Sequence, residues 1–198
     1  MIKNIVFDIG NVLADFRWKE YMIEKGLDSP TIKRVMAASI MSPDWDLFDM
    51  GMFDDDEALR RFASYDPELK PVLERVYRRI DGMIVPFDYA TDWIKSLKDR
   101  GFSIYYLSNY SRKAYEECKE SLEFMKYADG GVMSFQEHVL KPDPAIYQRL
   151  LDKYNLKAEE SVFLDDTQKN VDAALQLGFK AFTFTTKEQA DIDIESVC

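Results

Sequence analysis

The 198-residue sequence has little cysteine, no basic run and no long apolar run, and each shortage excludes something. Cys118 and Cys198 form no metal-ligand spacing and give no reason to expect a disulfide framework in a chain of this size, so a reduced compartment is the expectation. The N-terminal apolar stretch Ile5-Val6-Phe7 meets Asp8 too soon to be a signal-peptide core or a membrane span, which predicts a cytoplasmic protein that does not engage membranes. Internal repeats and low-complexity linkers are absent. The net charge of −10, from 36 acidic and 26 basic residues, would repel a phosphate backbone and so argues against nucleic acid as a partner. It does not argue against small phosphorylated ligands, because a bound divalent cation with a few local donors outweighs the average field inside a pocket.

What the sequence does have is ample material for a core, 46% hydrophobic and 14% aromatic, in a length that suits one domain with a modest insertion. A strand is expected at about residues 3–7. From Pro86 onward, strands and helices alternate. Phe87, Ala90, Trp93, Ile94 and Leu97 recur at helical spacing before Gly101, and Ile104–Leu107 is a β-type run. Further helices are expected at 111–122, 144–154 and 168–177, with strands at 131–133, 161–164 and 180–184. This alternation predicts an α/β fold: a Rossmann-like, three-layer core with a parallel sheet and helices on both faces. Residues 15–85 break the rhythm with amphipathic runs and read as an all-helical insertion, leaving 1–14 and 86–198 as the core. Asp54-Asp55-Asp56-Glu57 reads as the acidic start of a helix. The acidic stretch 188–195 reads as a solvated end.

Four short stretches carry chemistry. In Ile5-Val6-Phe7-Asp8-Ile9-Gly10-Asn11-Val12-Leu13, an apolar strand ends in a carboxylate, where parallel sheets place their ligand sites; a turn or cap role for Asp8 is the alternative. Ser108 and Asn109 end a second strand and offer a hydroxyl and a backbone N–H to an anion, or else an ordinary helix cap. Lys141, in Lys141-Pro142-Asp143-Pro144, sits in a loop stiffened by two prolines, and is otherwise a solvated lysine. Asp165 and Asp166 end a fourth strand with hard oxygen ligands of the kind Mg²⁺ takes. Three acids converging on one sheet edge would repel one another without a cation.

In order and spacing these stretches resemble the haloacid dehalogenase-like hydrolase superfamily. Asp8 within Asp-Ile-Gly-Asn-Val matches its first motif, Ser108 its second, Lys141 its third, and Asp165-Asp166 with Asn170 its fourth. The insertion at 15–85 resembles that superfamily's small helical cap. The resemblance implies a Mg²⁺-dependent phosphatase acting on a small phosphorylated metabolite, such as a sugar phosphate, with Asp8 as nucleophile. Mg²⁺ would be held by Asp8, the Gly10 carbonyl and one or both of Asp165 and Asp166. Ser108, Asn109 and Lys141 would bind the phosphoryl group. The departure is Gly10, where typical phosphatases of the superfamily carry the Asp that protonates the leaving alcohol. Asp15, His138 or a residue of the helical insertion are the candidates to replace it, although Asp15 reads better as a hinge residue and His138 as loop packing. Competing readings are a dehalogenase, a mutase, and a binding or regulatory protein with little turnover. Trp18, Tyr21, Trp45, Phe48 and Phe53 are the aromatic candidates for a substrate-facing surface. The oligomeric state is not legible in the sequence.

Overall fold

A computed structural model describes residues 1–198. Strand β1 (Asn4–Phe7) is followed by β2 (Ala14–Phe16) and five helices, α1 (Trp18–Glu24), α2 (Ser29–Ala38), α3 (Pro43–Asp49), α4 (Asp55–Tyr65) and α5 (Lys70–Tyr77). The chain continues through β3 (Ile84–Pro86), α6 (Ala90–Asp99), β4 (Ser103–Ser108), α7 (Arg112–Glu117), β5 (Gly130–Met133) and α8 (Ser134–Glu137). It ends with α9 (Pro144–Tyr154), β6 (Ser161–Asp165), α10 (Gln168–Gln176), β7 (Lys180–Thr183) and α11 (Lys187–Val197). No helix is long and apolar enough to cross a membrane.

Five strands form a parallel sheet in the order β5-β4-β1-β6-β7, the α/β Rossmann-like architecture expected from the alternation. Every residue of β1 is buried, as a strand covered on both faces requires. Ile5 and Phe7 pack on one side with Trp93, Ile94 and Leu97 of α6, whereas Val6 packs on the other with Ile146, Tyr147 and Leu150 of α9. The chain leaves β1 towards β4 on one side and is joined by β6 on the other, so the order reverses at β1. Ligands bind beyond the carboxyl ends of strands at such a switch point. The register pairs Phe7 with both Tyr106 and Leu164, which brings Asp8, Ser108 and Asp165 out at one edge.

Between β1 and β4 the structure adds something the sequence pattern did not offer. β2 and β3 pair antiparallel, with Asp15 opposite Val85, and bracket the run of helices α1–α5. Each strand has only three residues, too short for an alternation to register. The acidic helix start is found at α4, where the Asp54 side chain accepts from Glu57 N at 2.8 Å. Two expectations change. The helix expected over 111–122 ends at Glu117, and 119–127 tightens into 3₁₀ turns after Cys118 leaves helical geometry at φ −101°, ψ 22°. The acidic stretch 188–195 is not a solvated end: it is most of α11, capped by Thr186, with Ala190 and Ile194 buried. Its Asp191 accepts from Trp93 Nε1 at 2.7 Å, so an acidic face conceals a docked one.

Trp93 is the hinge of this packing. It is 1% exposed and meets the ring of Phe7, the residue before Asp8, edge-on at 4.8 Å. Trp93→Ala removes that support and the α11 hydrogen bond together. It should cost about 3–5 kcal/mol in urea unfolding, as large aromatic truncations do; a loss below about 1 kcal/mol would show that β1 does not depend on α6 for its position.

Candidate active site

Asp8 is the first residue past β1, and its backbone N–H still donates to Leu164 O at 2.8 Å, so the carboxylate is held by the sheet rather than by a loose loop. Three donors converge on Oδ1: Ser108 Oγ at 2.6 Å, Ile9 N at 2.7 Å and Lys141 Nζ at 2.9 Å. None of the hydrogen bonds reaches Oδ2. Burial pushes the Asp8 carboxyl up to about 6, against the opposing pull of Lys141 and with a further push from Asp165.

Lys141 is 3% exposed, so the solvated alternative is excluded. Its ammonium spans Asp8 and, at 2.6 Å, Asp165 Oδ2. Burial alone would lower the Lys141 pKa; the two carboxylates outweigh it and hold the value above the ordinary one. The backbone of Lys141 is clamped by the side chain of Asn109, whose Oδ1 accepts from Lys141 N at 2.8 Å and whose Nδ2 donates to Lys141 O at 3.0 Å. Asn109 thus spends its amide on locking the lysine loop to the end of β4.

Asp165 is fully buried and saturated: Thr167 N donates to Oδ1 at 2.8 Å, and Asn170 Nδ2 reaches both carboxylate oxygens at 3.1 Å. Asp166 is only partly buried, accepting from Asn11 Nδ2 at 2.8 Å. Asn11 adopts a left-handed φ of 56°, a conformation Asn tolerates better than most residues, and so turns back over the acidic edge. Asp8, Asp165 and Asp166 each present a carboxylate oxygen within 4.8 Å of the others, a hard-oxygen set that fits a divalent cation of the Mg²⁺ type. Asp8, Gly10, Ser108, Asn109 and Asp166 all line one cavity of about 190 Å³ beneath the helices α3 and α5. Its far wall is apolar, built from Phe16, Trp45, Phe48, Tyr77, Ile80 and Met83.

Comparison with known proteins fits this arrangement. A family model for haloacid dehalogenase-like hydrolase matches residues 2–178. The chain belongs to that family. It is 25% identical over 183 residues to sesquiterpene phosphatase astK of Aspergillus oryzae, covering 92% of this chain and 90% of that one. It is 26% identical over 195 residues to D-ribitol-5-phosphate phosphatase of Bacteroides thetaiotaomicron, with 92% and 91% covered. Among solved structures, a family enzyme of Bacteroides thetaiotaomicron in complex with magnesium and inorganic phosphate superposes with a TM-score of 0.72, at 20% identity, over 94% of this chain and 96% of that one.

Within this haloacid dehalogenase-like hydrolase the residues singled out from sequence, Asp8, Gly10, Ser108, Asn109, Lys141, Asp165 and Asp166, are brought to one sheet edge. Of the candidates for the missing proton donor, Asp15 and His138 are not. Asp15 lies in β2, outside the cavity lining. His138 is exposed, with Nδ1 against Met50 O at 2.8 Å, and also lies outside it. Of the five aromatic candidates, Trp45 and Phe48 line the cavity; Tyr21 is core, and Trp18 and Phe53 pack against the core. Two cavity residues had no signal in the sequence. The carboxyl of Asp49, at the end of α3, is pushed up to about 8 by burial, with Asp46 adding to the shift and the Trp45 indole opposing it. Tyr110 is 6% exposed and its buried hydroxyl has no hydrogen-bond partner. Only tertiary packing distinguishes Asp49 from the aspartates at 44 and 46 beside it.

Lys141→Met should leave Asp8 and Asp165 buried without their counter-charge and cost about 3–5 kcal/mol at neutral pH. The loss should shrink at about pH 5, where carboxyls left uncompensated take up protons; a pH-independent loss in urea unfolding would rule out the electrostatic cause. Asp49 gives a prediction of opposite sign. Its folded carboxyl holds a proton up to about 8 while an unfolded one loses it near 3.8, so across that window the unfolded chain binds fewer protons and stability falls as pH rises. Asp49→Asn removes that penalty. The variant should therefore gain stability over the unaltered protein between about pH 5 and about pH 8, and a constant difference across that range would contradict the raised carboxyl.

Proposed function

We propose that this hydrolase is a magnesium-dependent phosphatase that hydrolyses a small phosphorylated metabolite through an aspartyl-phosphate on Asp8. The observation that carries the reading is the convergence of Ser108 and Lys141 on one oxygen of a buried carboxylate, beside two further acids at the sheet's switch point. Asp8 attacks phosphorus with Oδ2, the oxygen not engaged by protein donors. Oδ1 is meanwhile held by Ile9 N, Ser108 and Lys141, so the nucleophile is fixed in direction before substrate arrives. The ammonium of Lys141 balances charge on Asp8 and the transferring group, and the backbone N–H at Asn109 is offered to phosphoryl oxygens while its side chain holds the lysine loop. Asp8, the Gly10 carbonyl and one or both of Asp165 and Asp166 would hold Mg²⁺, which when bound would supply charge neutralisation at the phosphoryl oxygens. Asp166 is favoured for direct contact, because Asp165 is saturated by Lys141, Thr167 and Asn170.

The cavity supports a particular organic portion. Its wall beyond the phosphate end is aromatic and aliphatic, and neither Lys nor Arg is among its lining residues. An apolar alcohol gains from this burial, whereas the several hydroxyls of a sugar would face a wall that offers few polar partners, the Asp49 carboxyl and the Tyr110 hydroxyl among them. The relative named as a sesquiterpene phosphatase accords with an apolar preference, and the one named for D-ribitol-5-phosphate does not. The acidic triad argues against the dehalogenase reading, and Gly10 is the feature behind the low-turnover binding reading.

A panel of phosphomonoesters with apolar and with polyol leaving groups, assayed with Mg²⁺ and with chelator, tests both levels. Phosphate release should require Mg²⁺ and fall by at least about 10³-fold in Asp8→Asn. Apolar esters should exceed polyol phosphates in kcat/KM by at least about tenfold. No release from any ester by folded protein would favour the binding reading.

A further inference from the structure

From the cavity geometry we infer that Asp49, on the helical insertion, is the acid and base of the reaction, protonating the leaving oxygen in place of the aspartate that Gly10 lacks. The inference rests on the phosphatase reading of the same cavity. Three features carry it. Asp49 lines the cavity together with Asp8, and no hydrogen bond ties its carboxylate to the acidic triad or to any lysine or arginine. The turn that holds it is docked firmly on the core: Ser134 Oγ donates to Asp49 O at 2.6 Å, and His138 Nδ1 meets Met50 O at 2.8 Å. Gly51 lies so close to α8 that a Cβ there would stand 2.9 Å from Phe135 O, on a backbone with φ +68°. A side chain merely facing solvent would need none of this.

The other proton-bearing groups of the cavity are committed elsewhere. Asp8 is the nucleophile, Asp166 belongs to the acidic triad, and the Tyr77 hydroxyl donates to Ser39 Oγ at 2.7 Å. Tyr110 lies deep in the cavity, and burial followed by the charges of Cys118, Asp49 and Asp8 raises its hydroxyl far above neutrality, so it can donate a hydrogen bond but does not surrender its proton. Its unpartnered hydroxyl is suited to the leaving oxygen or to the attacking water. Burial keeps a proton on Asp49 through neutral pH, as a general acid needs.

The proton balance is complete within these groups. As Asp8 Oδ2 forms its bond to phosphorus, the bond from phosphorus to the ester oxygen breaks, its electron pair stays on that oxygen, and the Asp49 proton neutralises it as alcohol. The Asp49 carboxylate then takes a proton from the water that attacks the aspartyl-phosphate; the phosphorus–Oδ2 bond breaks, phosphate leaves, and both carboxyl groups return to their starting states.

The test compares hexyl phosphate, whose alkoxide needs a proton to depart, with 4-nitrophenyl phosphate, whose phenolate does not. With full-length Asp49→Asn, steady-state turnover of hexyl phosphate should fall about 10²–10⁴-fold. 4-Nitrophenyl phosphate should instead give a burst of about one nitrophenolate per enzyme, then a slow phase, because phosphorylation of Asp8 survives while water attack loses its base. Gly10→Asp should restore hexyl phosphate turnover in the Asp49→Asn background, since a Cβ at Gly10 meets no atom within 4 Å and the backbone there admits a side chain. Equal losses on both esters without a burst, or hexyl phosphate turnover within about threefold of the unaltered enzyme, would overturn the role of Asp49. If the unaltered enzyme releases phosphate from neither ester, the phosphatase reading itself falls.

Discussion

One ammonium group organises the site. Lys141 Nζ lies 2.9 Å from Asp8 and 2.6 Å from Asp165, and all three side chains are almost wholly removed from water. Two carboxylates this deep would not both stay ionised unaided, and a lone buried lysine would tend to lose its proton. Each is tolerable only because the others are present. The cluster is therefore a constraint on the fold: β1, β6 and the 141 loop must come into register to within hydrogen-bond distance, or the charges are stranded.

Much of the local structure serves that register. The parallel ladder from β4 through β1 to β6 sets the ends of the strands level, so Ser108, Asp8 and Asp165 emerge together. The side chain of Asn109 ties the lysine loop to β4 through both its polar atoms, and Asn170 from α10 fixes the Asp165 carboxylate in orientation. Aromatic packing supports the same edge from below, with Trp93 set against Phe7 and held in turn by Asp191 of α11. Substitutions in this support would alter the angle of Asp8 before they altered its chemistry, and on the proposed reading, with Asp8 as nucleophile, small misplacements would be costly.

What the sequence made legible follows from how local each signal is. The central sheet was readable because fully buried parallel strands are continuous apolar runs, and the charged site because each member sits at a strand end or in an adjoining loop. β2 and β3 were too short to show a period. The helix α11 was misread because its composition is acidic while its docking rests on only a few inward residues, Ala190 and Ile194 among them, which charge counts conceal. Asp49 was invisible for a different reason. Asp44, Asp46 and Asp49 look alike in the sequence, and only the packing of Trp45, Phe48 and Tyr77 around the cavity marks out Asp49, whose carboxyl burial pushes up to about 8.

That separation gives the cavity two electrostatic halves. The sheet edge contributes fixed charges, Lys141 among three carboxylates, which on the proposed reading would receive an anionic phosphoryl group and a cation. The helices contribute apolar surface, on which an alcohol can rest and in which a carboxyl stays neutral. The second half is produced by the same physics as the first, with burial working against charge wherever no partner offsets it. An acid attached to the sheet at position 10 would sit beside Asp8 and the metal ligands, within reach of their charges. Asp49, carried on α3, instead has its carboxyl raised by burial, with Asp46 adding to the shift. On the proposed reading, proton delivery and recognition of the organic portion would both depend on the same packing of the helices over the sheet edge, so an ester that does not fill the wall would not be properly placed for Asp49.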